Sequence, residues 1–140
     1  MNTIYALDSN TVSFLLRPSR NSEVVKKFEE TIIQGYEYVI PPLCYYEVYW
    51  YLLRKRATSQ LEIFRELYEN SKKRISICEE DIIKAAEIRA TLEERGQLIG
   101  SNDADIFIAA HCIIGGYTLV TDNESDFNRI GELSFVNWKG

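Results

Sequence analysis

The chain has 140 residues, with 21 acidic against 16 basic side chains for a net charge of −5, and is 46% hydrophobic and 26% charged. These proportions suit an ordinary globule with enough chain to bury a core without disulfide or metal staples, and one domain over residues 1–140 is the expectation. They argue against a general nucleic-acid coat, which would carry a basic excess, and no apolar run reaches the ~18 residues of a membrane span.

The pattern opens with a short apolar strand, Ile4 to Leu7, that runs directly into Asp8-Ser9-Asn10. Asp8 has two readings. It can cap the helix that follows, because a carboxylate accepts hydrogen bonds from the free N–H groups of a first helical turn. It can also face a site, because ligands of open α/β sheets bind beyond the carboxyl ends of the strands.

A helical pattern from Glu23 to Gln34 leads to a second strand, Tyr36 to Ile40, ending at Pro41-Pro42. Helical periodicity resumes from Leu43 to Lys55 and again from Ser59 to Lys72. In the first of these, Glu47 lies four residues after Leu43 and three and four before Trp50 and Tyr51, so it is expected on an apolar face. An unpaired carboxylate is costly to bury, which leaves an ion pair, a hydrogen-bond network or a metal as its reason for being there. The tyrosines and tryptophan at 45, 46, 49, 50 and 51 exceed what one inward face can hold, and predict an exposed aromatic patch covered by a partner.

Ile75-Ser76-Ile77 reads as a brief strand, and Glu79 to Arg95 as a helix stopped by Gly96. The next helix starts at Asp103 or Ala104 and runs to Ile114, stopped by Gly115-Gly116. Asp105 is in phase with Ile108, Ala109 and Cys112, so it crowns the inward stripe. Either the helix dipole or a pocket explains an acid there. Asp103, two residues earlier, points elsewhere and belongs at a cap or rim. His111, six residues past Asp105, reads as surface or packing. A strand from Tyr117 to Val120 then runs into Thr121-Asp122-Asn123-Glu124-Ser125-Asp126, where Asp122 and Asp126 are spaced to share a helix face or to lie in a solvated loop. A short helix over 125–128 and an edge strand at 134–136 close the pattern. Strands alternating with helices predict a mostly parallel sheet with helices on both faces.

Cys44, Cys78 and Cys112 are spaced 34 residues apart, far from zinc-site spacing, and read as buried thiols of a reducing cytoplasm. No basic n-region precedes the first apolar run, so a cytoplasmic protein is expected. In a parallel sheet the strands ending at Leu7 and Val120 deliver their acids to one edge, where Asp105 and Glu47 can join them. Converging carboxylates raise one another's pKa unless a cation holds them. Oxygen donors without a suitable histidine or cysteine point to Mg²⁺ or Mn²⁺ rather than zinc. A phosphoacceptor receiver domain would need a second acid beside Asp8 and a lysine after the late strand, and neither is present.

Taken in order, "LDSN" at residues 7–10, a glutamate in the helix after the second strand, "RGQLIGSNDADIFIAAH" at 95–111 and "LVTDNESDFNRIGEL" at 119–133 resemble the PIN domain. Within it they resemble the VapC-type toxins of type II toxin–antitoxin systems, along essentially the whole chain. The resemblance implies a single PIN domain with three α/β/α layers and a mostly parallel sheet of four to five strands. It also implies a metal-dependent endoribonuclease acting on tRNA or rRNA, a cognate antitoxin and a homodimer. It puts Asp8, Glu47, Asp105 and Asp126 in the four acidic positions, with Asp103, Asp122 and Asn123 as alternates. An ion held there would acidify a water for in-line attack on phosphorus, leaving 5′-phosphate and 3′-OH ends. Arg54-Lys55-Arg56 and Lys72-Lys73-Arg74 are candidate contacts to the RNA backbone. A non-catalytic PIN-like RNA-binding or scaffold module is the alternative.

Overall fold

A computed structural model describes residues 3–17, 22–72, 76–98 and 102–139. Its strands are β1 (Ile4–Leu7), β2 (Glu37–Val39), β3 (Thr118–Val120) and β4 (Phe135–Val136). The helices are α1 (Ser9–Leu16), α2 (Glu23–Ile33), α3 (Pro42–Arg54), α4 (Thr58–Glu69), α5 (Glu79–Glu94), α6 (Asp103–Gly115) and α7 (Glu124–Phe127). The sheet order is β2-β1-β3-β4, and every pairing is parallel. Helices flank the sheet as an α/β/α sandwich, because parallel neighbours need crossovers that lie on its faces.

The strand that the sequence suggests at 75–77 does not form over Ser76 and Ile77, and Ile75 lies outside the described residues, as do Lys73 and Arg74 and the segment 99–101. The sheet therefore has four strands among the described residues.

Strand burial follows the apolar runs. Ala6, Leu7, Val39, Leu119 and Val120 are at most 1% exposed, and the helices add Val12, Val48, Phe64, Leu92 and Ala109 to the same core. Each large side chain buried this way is worth roughly 1.5–3 kcal/mol against the entropy of ordering the chain. Gly116 ends α6 in the left-handed region at φ +72°, where its lack of a Cβ lets the chain turn at once into β3.

The topology dictates where a site can form. From β1 the chain crosses to β2 on one side, and from β3 to β4 on the other, so strand order reverses between β1 and β3. At such a switch point the outgoing connections diverge and leave a crevice beyond the carboxyl ends of the strands. β1 ends at Leu7 and β3 at Val120, and the Asp8 N–H donates to the Val120 carbonyl at 3.3 Å, so both acid-bearing turns meet there.

Candidate active site

Asp8 does both things its position suggests. Its Oδ1 accepts from the Thr11 N–H at 2.8 Å, which caps α1, while the carboxylate also lines a cavity of about 160 Å³ at the sheet edge. The same cavity is lined by Ser9, Asn10, Glu47, Asp105, Asn123 and other residues, so three elements distant in sequence bring carboxylates to one place. Asp8 is 7% exposed, and its pKa is raised above the ordinary 3.8, first by burial and further by Asp122. Hydrogen bonds from Thr121 and Thr11 oppose that rise. Thr11 is itself pinned, donating its hydroxyl to the Val120 carbonyl at 3.0 Å, so the cap, β1 and β3 form one rigid support.

Asp105 enters from the first turn of α6, where Asn102 caps the helix by accepting from the Asp105 N–H at 2.9 Å. Ile108, Ala109 and Cys112 below it are buried. Burial first, and then the charges of Asp126, Glu47 and Asp8, push the Asp105 carboxyl up to about 6. Asp103 points away, into a 2.7 Å ion pair with Arg89, and is exposed.

Glu47 arrives differently from expectation. The buried stripe of α3 is Cys44, Val48 and Leu52, and the Trp50 and Tyr51 rings assigned to the same inward face as Glu47 are 50% and 45% exposed. Glu47 therefore stands on the flank of α3, half-buried, where Ser9 donates to its Oε1 at 2.6 Å. The helix packs on both α1 and α4 and uses a different stripe, a choice that periodicity alone left open.

Asp122 and Asp126 do not share a helix face, since Asp122 precedes α7. Asp122 accepts from Asn10 Nδ2 at 3.5 Å and faces Lys139 at 3.7 Å. Asp126 accepts from Asn123 Nδ2 at 3.0 Å and lies 3.8 Å from Arg129. It is not a wall of the cavity, yet it leads the carboxylates that raise Asp105. Asn123 supplies the wall in front of it.

The donor set is hard oxygen throughout: Asp8, Glu47 and Asp105, with the Asn123 amide beside them. Among the described residues no three His, Cys, Asp or Glu side chains converge into a ready-made metal cage. Mg²⁺ does not require one, because it retains several waters and is usually held by one or two carboxylates. Carboxylates that repel each other across an open cavity suit such a cation, and the residues present fit it.

The sequence reading missed Asp81. It heads the inward stripe of α5 with Ala85, Ile88 and Leu92, a phase that could have exposed it among the neighbouring acids Glu79 and Glu80. Its Oδ2 lies 2.8 Å from His111 Nδ1, with both side chains at most 2% exposed. His111 is thus a packed core residue that ties α6 to α5. Cys44 and Cys112 are buried, while Cys78 is only half-buried. No helix of the described residues is long and apolar enough to cross a membrane.

Comparison with known proteins gives a consistent picture. The family model of the PIN domain matches residues 5–133. Ribonuclease VapC2 of Haemophilus influenzae is 30% identical over 137 residues, covering 96% of this chain and 97% of that protein. Ribonuclease VapC2 of Rickettsia felis is 46% identical over 52 residues, a match that spans only 37% of either chain. The crystal structure of VapBC2 from Rickettsia felis, bound to a DNA fragment from their promoter, superposes with a TM-score of 0.79 at 25% identity, covering 97% of this chain and 99% of that one.

Proposed function

The chain belongs to the PIN-domain family, and from that premise we propose that it is a Mg²⁺- or Mn²⁺-dependent endoribonuclease, the toxin of a toxin–antitoxin pair. The observation that carries the reading is the meeting of Asp8, Glu47 and Asp105 in one cavity at the switch point of the sheet, with Asp105 held up to about 6 by burial and its acidic neighbours. A protein that gains nothing from this repulsion would have no reason to keep it.

Asp8 and Asp105 would hold the ion, with Glu47 flanking them and Asp126 adding charge from behind Asn123. When bound, the ion supplies an acidified water and charge stabilisation for hydrolysis of a phosphodiester. The chain's own groups prepare that chemistry. The Thr11 N–H and the Thr121 hydroxyl fix the Asp8 carboxylate, Ser9 orients Glu47, and the Asp105 carboxyl, pushed up to about 6 by burial and its acidic neighbours, would be held in its ionised form by a bound cation. The ribonuclease names of the relatives support RNA, of which tRNA and rRNA are the proposed classes, and the likeness to a VapBC complex supports a cognate antitoxin. Exposed Tyr46 and Leu53 on α3 are consistent with a covered face in a homodimer or an antitoxin complex.

The test is incubation with total cellular RNA, with and without Mg²⁺ or Mn²⁺, beside Asp8→Asn and Asp105→Asn. Cleavage that needs the ion and both carboxylates, leaving 5′-phosphate and 3′-OH ends, is the expected result; cleavage surviving EDTA or both substitutions overturns the mechanism. A non-catalytic RNA-binding module is the second reading, and RNA binding by an inert wild-type protein would establish it.

A further inference from the structure

Beside the carboxylate cavity lies a larger groove of about 460 Å³ whose lining includes α1 and α3 residues and Gln60 of α4. The two spaces share Ser9, Asn10 and Glu47 as walls, so a chain lying across the acids passes next to the groove. We propose that this groove is a subsite for one unpaired base of a single-stranded RNA, with Trp50 and Tyr51 as its stacking surfaces. The proposal rests on the nuclease reading of the adjoining cavity.

Several independent features support it. A volume of this size falls within the range of ordinary ligand pockets and accommodates a nucleotide. Trp50 and Tyr51 line the groove with about half of each residue exposed to water, so ring surface is open to a ligand there. The lining also includes the polar Asn10, Ser13 and Gln60; Asn10 Nδ2 donates to Asp122 and Gln60 Nε2 to the Leu16 carbonyl, so the Ser13 hydroxyl and the two amide oxygens are the groups offered to the edges of a base.

The charge also has the right sign. The Arg54 guanidinium sits 5.0 Å from the Trp50 ring centroid and the Lys55 ammonium 5.7 Å from that of Tyr51, so each ring has a cation beside it. Arg17 lines the groove itself, packed 4.3 Å over the Phe14 ring. In a molecule of net charge −5, cations on aromatic rings beside an acid cavity provide phosphate contacts flanking a stacking platform. Basic charge interleaved with aromatic rings is how single strands are gripped without sequence preference. A duplex cannot use such a groove, because its bases are stacked on one another and only a splayed base can reach a recessed ring.

Trp50 is also the reporter. The chain has two tryptophans, and Trp138 is buried, so a ligand-dependent change in tryptophan fluorescence originates from the groove. The experiment titrates the full chain in EDTA with a mixed-sequence single-stranded oligoribonucleotide, and with the same strand annealed to its complement. Saturable quenching by the single strand, about ten-fold weaker for the duplex, is expected; equal quenching by both, or none, overturns the proposal. In the cleavage assay Trp50→Leu should raise KM about ten-fold with little change in kcat, the loss typical of one stacking ring, and Trp50→Phe should restore most of it. An unchanged KM in Trp50→Leu overturns the subsite, as does a fluorescence change produced by protein concentration alone, which would assign the groove to a second copy. Asp8→Asn should quench normally. Quenching without any cleavage would sink the catalytic reading and leave the subsite standing; cleavage without quenching would do the reverse.

Discussion

Asp8 and Asp81 are carboxylates buried to a similar depth in one core, and they are held in opposite ways. Asp81 faces His111 at 2.8 Å; burial alone would raise its pKa, but hydrogen bonds with His111 and Cys78 outweigh burial and lower it below the ordinary value. Burial raises the pKa values of Asp8 and Asp105, and the acids that face them raise them further. A buried carboxylate with a partner costs the fold when that partner is removed. One set among like charges weakens the fold, and its retention points to a task other than stability.

The contrast is tested first by breaking the partnered side. Asp81→Ala leaves His111 Nδ1 buried without its hydrogen-bond partner and should cost about 1–3 kcal/mol, the usual loss for a buried group left unpaired, read from urea unfolding. A loss below about 1 kcal/mol would mean the pair contributes little, and the comparison would fail.

Asp8→Asn should do the reverse. It keeps an oxygen acceptor for the Thr11 N–H but removes a buried charge, so the unfolding midpoint should hold or rise. Activity should fall by about 100-fold or more, since even residues behind a metal ligand commonly cost 10–100-fold. A destabilised Asp8→Asn with normal cleavage would show that Asp8 is a cap and nothing else.

The effect of pH should be smaller and opposite in sign for the two regions. Asp105 is raised from 3.8 to about 6, so between those values the folded chain binds more protons than the unfolded one. Without metal, its contribution to stability therefore declines as pH rises from about 4 to 6. Asp81 is lowered, so its contribution is present above the ordinary carboxylate value and is lost only as pH falls through its folded pKa. Thermal melts in EDTA across this range should lose the Asp105 decline in Asp105→Asn. Added Mg²⁺ should raise the melting temperature more at pH 7 than at pH 5, since binding competes with protons. An equal rise at both pH values would contradict an ion on Asp105.

The smallest effect belongs to the neighbouring acid. Asp103 forms an exposed pair with Arg89, so Asp103→Asn should change stability by at most about 1 kcal/mol and leave RNA cleavage as it was. Loss of cleavage in Asp103→Asn would exchange the roles of the two aspartates.

Much of this arrangement was legible in the sequence, for reasons that can be stated residue by residue. Apolar runs ending in acids marked β1 and β3, because a parallel strand is buried on both faces and its polar end emerges at the sheet edge. The phase of Asp105 with Ile108, Ala109 and Cys112 separated it from Asp103 before any coordinates, since side chains two positions apart on a helix diverge. Glu47 was harder. A helix packed between α1 and α4 has more than one apolar stripe, and the one that is buried, Cys44-Val48-Leu52, was not the one that looked most hydrophobic. Asp81 escaped notice because it is unremarkable alone, and His111 read as surface or packing; only the packing of α5 on α6 makes them a pair.

The sequence by itself determined the order of elements, the acids at strand ends and the face of α6 that turns inward, because periodicity and local capping act over a few residues. Only the tertiary structure decided which acids meet. Asp122 turns to Lys139 and Asp126 stands behind Asn123, while Asp8, Glu47 and Asp105 share one cavity. Those outcomes depend on where the β1–β3 switch point places side chains separated by 39, 58 and 97 positions along the chain. The same packing left Trp50 and Tyr51 on the groove instead of in the core, since α3 can bury only one stripe against its neighbours.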